Sequence, residues 1–324
     1  MRSAVGEGVH AGVRAEGVAT EPTHSWKALT DPGEADDFFA IEGLPAFDAR
    51  ASGDYSSGNA LWLIECSRLV YRIDGPSRRR YFKERAGLEE IRFFDRGATQ
   101  GALLSGEGFA LLAFRGTLGA RDWLSDLDFP PVAWEGPGEV HQGFKRQLDR
   151  VWEEVADELD RLDVPVFYTG HSLGAALATF AAARRHVEGG SPPAALYSFG
   201  SPRVGTADFA RAFPEGFLHC RVVNDRDVVP AVPPRRLSGR IFGSGYHHVG
   251  VLFRIRPEGR LERGAPDDDS APSLLHELAA GWREVLARIR AEGARGAVEP
   301  LMDHAPVNYT AGIGKAREEA PALR

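Results

Sequence analysis

Cysteine is scarce in this chain. The 324 residues contain two, Cys66 and Cys220, which allows at most one disulfide, and their spacing matches no metal-ligand pattern. Excess positive charge is also missing. Lys and Arg number 39 against 46 Asp and Glu, a formal net charge of -7, which argues against nucleic acid or an anionic membrane as an electrostatic partner. The compact basic clusters, Arg78-Arg79-Arg80 and Arg235-Arg236, read as solvated loops. No apolar run is long enough to form a transmembrane segment, and residues 1–20 lack the apolar core of a secretory signal. The expectation from these absences is a cytoplasmic protein. A calcium loop is excluded too: Asp267-Asp268-Asp269 lacks the alternating spacing and the glycine that such a loop needs. There are no internal repeats.

What remains is ordinary globular composition, 43% hydrophobic and 26% charged. Residues 1–35 are rich in Gly, Ala, Glu and Thr without apolar periodicity and read as a poorly ordered arm, residues 36–312 as one domain, and residues 313–324 as a polar tail. Ala60 to Ile73 reads as a helix packed on a sheet. Glu90 to Phe94 and Phe109 to Phe114 read as strands separated by a Gly-rich turn region. Phe144, Leu148, Val151, Trp152, Val155, Leu159 and Leu162 follow a 3.6-residue repeat, which predicts one long amphipathic helix over 142–162. Strands are expected at 193–200 and 218–223, a β-rich segment at 246–255, and a second amphipathic helix from Leu274 to Ile289. Helices alternating with short apolar runs imply a largely parallel sheet covered on both faces.

The organising stretch is Val164 to Arg184. A β-prone run meets Gly170-His171-Ser172-Leu173-Gly174 and passes without a breaker into an Ala- and Leu-rich helix. In that context G-x-S-x-G has a mechanical meaning: the serine sits on a strained strand-to-helix turn, and the flanking glycines let strand and helix approach without a Cβ clash. The helix N-terminus behind Ser172 supplies N–H groups that helix geometry leaves unpaired and that can meet a developing oxyanion.

A serine hydroxyl needs a base, and the base needs a third group to hold its tautomer. The strand-end position favours Asp225 or Asp227 as the acid, whereas Asp208 lies in a helical stretch. Histidines after the acid are His247, His248, His276 and His304; chain order and loop position favour His304, with His248 as the alternative.

Several motifs occur together over about residues 60 to 310. They are Phe114-Arg115-Gly116-Thr117, Asp122-Trp123-Leu124-Ser125-Asp126-Leu127, Val140-His141-Gln142-Gly143-Phe144, the Gly170 to Gly174 elbow, and Ser198 through Gly205. Asn224-Asp225-Arg226-Asp227-Val228-Val229-Pro230, the set Tyr246, His248 and Gly250, and Asp303-His304 with Tyr309 complete the series. In this order they resemble the class 3, fungal-lipase-like branch of the α/β-hydrolases. The resemblance implies an α/β-hydrolase fold with a mostly parallel central sheet, helices on both faces and a nucleophile elbow. It implies Ser172 as nucleophile, Asp227 as acid, His304 as base, and an oxyanion hole formed by Thr117 and the N–H of Leu173. His248 would then be a structural histidine, and Leu118 to Phe129 would occupy the position of the lid.

The expected activity is that of a serine carboxylic-ester hydrolase acting on acylglycerols or similar lipid esters through an acyl-enzyme, without a cofactor or metal. A phospholipase A1 and a short-chain esterase are the alternatives within that chemistry. A catalytically silent scaffold is the alternative outside it, disfavoured because a protein without turnover has no need for Ser172, Asp227, His304 and Thr117 together. Leu118, Trp123, Leu124, Leu127 and Phe129 suggest transient contact with a lipid interface.

Overall fold

The structure is a computed structural model that describes residues 31–51, 53–72, 74–116, 130–233, 245–264 and 302–319. The acidic run at 267–269, the helix expected from Leu274 to Ile289, and residues 1–30 of the expected arm lie outside the described residues.

Helix α1 (Ser57–Leu69) begins where the Ser56 hydroxyl accepts the Asn59 N–H at 3.2 Å, satisfying one of the donors that a helix start leaves open. It is buried on nearly every side. Helix α2 (Gly75–Ala86) ends at Gly87, whose φ of 64° is the left-handed C-terminal position that glycine occupies without a Cβ penalty. Strands β1 (Glu89–Arg96), β2 (Thr99–Gly106) and β3 (Phe109–Phe114) form an antiparallel meander. Next come β4 (Pro131–Ala133), β5 (Glu139–His141), α3 (Gln142–Asp149), α4 (Trp152–Asp160), β6 (Val166–His171) and α5 (Leu173–Val187). The series continues with β7 (Ala195–Phe199), β8 (Gly205–Thr206), α6 (Ala207–Arg211) and β9 (Leu218–Asn224). Last are β10 (Tyr246–His247), β11 (Val251–Ile255), β12 (Leu261–Gly264) and α7 (Pro306–Glu319).

Among the described residues eight strands make the main sheet, in the order β1-β2-β3-β6-β7-β9-β11-β12. The five from β3 to β11 pair in parallel, and β12 returns antiparallel along the far edge. A small antiparallel sheet, β10-β8-β5-β4, stands apart. Strand alternation divides the core. Along β3, Ala110, Leu112 and Phe114 enter the cluster that α3, α4 and α5 cover, while Leu111 and Ala113 enter the cluster beneath α1 and α7. Both faces being covered, the central strands are apolar on both sides, as a parallel sheet requires. The fold is that of the α/β-hydrolases, and its sheet carries the ends of β3, β6, β7 and β9 to one edge.

Four details differ from the sequence reading. The turn region between the first two expected strands holds β2; its residues Thr99 to Leu104 are all buried, so it has none of the exposed face that marks a strand by alternation. The single helix expected over 142–162 is two: the Arg150 and Val151 amides turn back to Gln147 and Leu148, and α4 restarts at Trp152 with the same apolar face. Residues 313–319, expected as a polar tail, continue α7, with Ile313 buried in the core. Residues before 36, expected as part of the arm, also pack on the domain: the buried Arg68 guanidinium donates to the Pro32 carbonyl at 2.9 Å.

A Cβ on Gly174 would lie 2.2 Å from the Phe114 carbonyl oxygen, whereas one on Gly314, in α7, would meet nothing within 4 Å. Gly174→Ala is therefore expected to lower the unfolding free energy by about 3 kcal/mol. Gly314→Ala is expected to raise it by about 0.5–1 kcal/mol through reduced chain entropy. Urea denaturation of both variants measures the contrast.

Candidate active site

At the end of β6 the backbone of Ser172 stands at φ 60°, ψ -126°, a region that residues with a Cβ rarely occupy. Two contacts hold it there. The Ser172 amide donates to the Phe199 carbonyl of β7 at 2.9 Å, and the Ser172 carbonyl accepts the Ala175 amide of α5 at 3.0 Å. The glycines two residues either side are required by space. A Cβ on Gly170 would lie 2.2 Å from the Gly174 carbonyl carbon, and Gly174 itself touches the β3 backbone. Leu173 is the first residue of α5, so its N–H has no acceptor within the helix.

The neighbouring strand ends bring an acid and an imidazole together. Asp227 follows β9, and its Oδ2 lies 2.8 Å from His304 Nδ1. Asp227 Oδ1 accepts the Val229 amide at 2.8 Å, and Oδ2 also accepts the Tyr309 hydroxyl at 2.5 Å. A buried carboxylate with these donors has its negative charge compensated and its orientation fixed. Gly200, at the end of β7 with φ 58°, packs over this group: a Cβ there would lie 2.9 Å from Asp227 Oδ2, His304 Nδ1 and the Tyr309 hydroxyl alike. Burial and the Asp227 charge push the Tyr309 hydroxyl well above the ordinary phenol range, so it is a donor throughout. Asp225, the other strand-end acid, instead pairs with Arg226 at 3.4 Å and makes its backbone bond to Ile255.

Other histidines are held neutral. His248 Nε2 lies 2.7 Å from the Pro230 carbonyl, which can only accept, so that nitrogen carries the proton; burial, then Arg221 and Arg203, keep the ring well below the usual imidazole range. His219 is pushed down to about 3, first by burial and then by Arg221. His171 is likewise held well below its ordinary range, by burial first, and its Nε2 donates to the His304 carbonyl at 2.7 Å. The His171 and His304 ring centroids are 4.6 Å apart. His304 is thus brought to the residue beside Ser172.

Of the residues singled out from sequence, Ser172, Leu173, Asp227 and His304 gather at one edge of the sheet. Thr117 and the segment Leu118 to Phe129 lie outside the described residues. Three residues with no role assigned from sequence also belong here: Gly200, Tyr71 and His171. His171 was visible as the second residue of the elbow motif and Gly200 as part of the Ser198 to Gly205 motif; Tyr71 carried no local signal.

The description "Lipase (class 3)" fits a family model that matches residues 111–237. The stretch runs from β3 through the elbow to beyond Asp227. Over that stretch the chain is similar to the class 3 lipases. It is 38% identical over 155 residues to a lipase of Rhizomucor miehei, an alignment spanning 44% of this chain and 41% of that one. It is 33% identical over 252 residues to phospholipase A1-II 4 of Oryza sativa, over 68% and 60% of the two chains. It is 34% identical over 178 residues to secreted mono- and diacylglycerol lipase 1 of Fusarium solani, over 51% and 47%. The chain therefore spans about half the length of the curated relatives it matches. A solved structure of Rhizomucor miehei triacylglyceride lipase superposes with a TM-score of 0.56 at 26% identity, over 69% of this chain and 94% of that one.

One expectation is overturned by these relatives. The cytoplasmic location expected from the sequence is corrected: a relative matched over 51% of this chain, the Fusarium solani lipase, is secreted by name. Among the described residues no helix is long and apolar enough to cross a membrane.

Asp303, beside His304, generates a pH test. Burial first, then Asp227, push its carboxyl up to about 6 from 3.8, against the pull of Arg226. A raised acid stabilises the fold fully below about pH 4 and loses that contribution as pH rises through about 6. Asp303→Asn removes the buried charge while keeping an acceptor for the Arg226 amide, 3.3 Å away. The variant is expected to match the parent at pH 4 and to exceed it by about 1–2 kcal/mol at pH 8 in chemical denaturation.

Proposed function

We propose that the chain is a serine carboxylic-ester hydrolase acting on lipid esters, with Ser172 as nucleophile, His304 as base and Asp227 as the orienting acid. The observation that carries this reading is the 2.8 Å bond from His304 Nδ1 to the buried Asp227, beside a serine on a positive-φ elbow. With Nδ1–H committed to Asp227, neutral His304 has its acceptor at Nε2, the nitrogen that takes the proton from Ser172 Oγ. Ser172 Oγ then bonds to the ester carbonyl carbon, and the oxyanion is met by the N–H of Leu173 and, from the sequence, by Thr117. Collapse expels the alcohol, protonated by His304, and water clears the acyl group by the same steps in reverse order. No step calls for a cofactor.

The relatives support a lipid substrate. They include mono- and diacylglycerol lipases and phospholipases A1, so an acylglycerol is the first substrate to try and a phospholipid the second. The apolar residues Leu118, Trp123, Leu124, Leu127 and Phe129 make 118–129 the proposed contact with a lipid surface.

Ser172→Ala is expected to lower kcat by roughly 10⁶-fold, as in a comparable triad enzyme, and to abolish labelling by a fluorophosphonate. Near-parental hydrolysis by the variant would sink the assignment. Rates on nitrophenyl esters of graded length, on monoacylglycerol and on phosphatidylcholine, each below and above the concentration at which an interface forms, separate lipase, phospholipase and short-chain esterase. A rate that does not change when the interface appears removes the surface role from 118–129.

A further inference from the structure

Behind the elbow runs a buried path that the ester mechanism does not use. Tyr71 follows α1 and is 5% exposed; His171 is 1% exposed. The Tyr71 hydroxyl is 3.2 Å from His171 Nδ1 and is also hydrogen-bonded by the backbone of Gly116, so closely that a Cβ on Gly116 would lie 2.0 Å from its oxygen. His171 Nε2 is 2.7 Å from the His304 carbonyl.

Elementary donor rules fix every proton along this path. The His304 carbonyl can only accept, so His171 carries its proton on Nε2. A neutral ring then accepts at Nδ1, so Tyr71 donates there. An amide N–H can only donate, so Gly116 gives its proton to the Tyr71 oxygen. The bonds run one way: Gly116 N–H to Tyr71 Oη–H to His171 Nδ1, and His171 Nε2–H to the His304 carbonyl. Burial keeps the tyrosine protonated and the ring uncharged, so the directions do not reverse with pH.

Each end of the path is a chemically committed place. Gly116 immediately precedes Thr117, His171 immediately precedes Ser172, and the carbonyl at the far end belongs to His304 itself. The imidazole of His304 is tied by its side chain to Asp227; its main chain is tied separately to the residue before the nucleophile. We infer that Tyr71 and His171 are positioning residues, which hold the end of β3 and the loop bearing His304 in register with Ser172 through this one-way series of hydrogen bonds. The inference rests on the serine-hydrolase reading and adds residues that touch neither substrate nor the reacting atoms.

The test compares Tyr71→Phe, His171→Leu and His171→Gln with the parent chain. Phe keeps the ring of Tyr71 and removes only its hydroxyl. Gln restores an N–H donor at the reach of Nε2, which Leu cannot. The expected kcat falls about 10-fold in Tyr71→Phe and about 100-fold in His171→Leu, with KM within about 2-fold, since a small misplacement of reacting groups costs rate rather than binding. His171→Gln is expected to recover about 10-fold over His171→Leu, and fluorophosphonate labelling rates to follow kcat. A purely structural role would lower activity in step with the folded fraction, seen by circular dichroism, and Gln would bring no recovery. Folded Tyr71→Phe with the parental kcat and labelling rate overturns the inference, whatever the stability of the His171 variants. If the parent chain itself neither hydrolyses esters nor labels at Ser172, the serine-hydrolase reading fails and this one falls with it. A parent that is active beside variants that are equally active removes this inference alone.

Discussion

One backbone conformation organises this molecule: a serine at φ 60° between a parallel strand and a helix. An L residue there is strained, on the order of 1–3 kcal/mol, and persists only where its surroundings over-determine it. Here they do. Gly170, Gly174 and the β3 carbonyl at Phe114 lie so close that the turn has no other path, and the Ser172 amide is bound across to β7. The parallel register that seats β6 between β3 and β7 is therefore the same constraint that lifts Ser172 clear of the sheet.

The fold was legible where a local rule sufficed. Glycine spacing, the apolar run of β6 and the Ala-rich α5 announced the strand, turn and helix. The 3.6-residue repeat over 142–162 reported a true apolar face but not the break at Arg150, because the turn there keeps Val151 and Trp152 on the same side. Strand β2 was illegible for the opposite reason: burial on both faces erases alternation. Asp227 and His304 could be named from order and resemblance, whereas separating Asp227 from Asp225 in physical terms needed the loop geometry that turns one carboxylate toward an imidazole and the other toward Arg226. Tyr71 carried no signal, and Gly200 stood in a motif without a role, since their contacts are made only when distant segments meet.

The histidines show why residue type alone does not mark a base. His171, His219 and His248 are all buried and all disfavour protonation, two of them donating to a main-chain carbonyl. His304 differs in its partner, a carboxylate. Burial, with arginines beside His219 and His248, disfavours charge on those three rings, and the carbonyl acceptors of His171 and His248 only partly offset it. A carboxylate partner is what the proposed base role of His304 calls for, since it orients the ring and faces the imidazolium that forms in turnover.

Helix α7 and the turn before it have a further consequence. His304 meets Asp227 across 77 residues and His171 across 133, while Thr310 donates to Glu65 across 245. Segments are synthesised from the N-terminus onward, so the elbow, the sheet centre and the acid all exist before the residues that complete the site. Closing such long loops is also entropically late work. On the proposed reading, Ser172 has no base on the nascent chain until α7 and the turn before it have docked against α1.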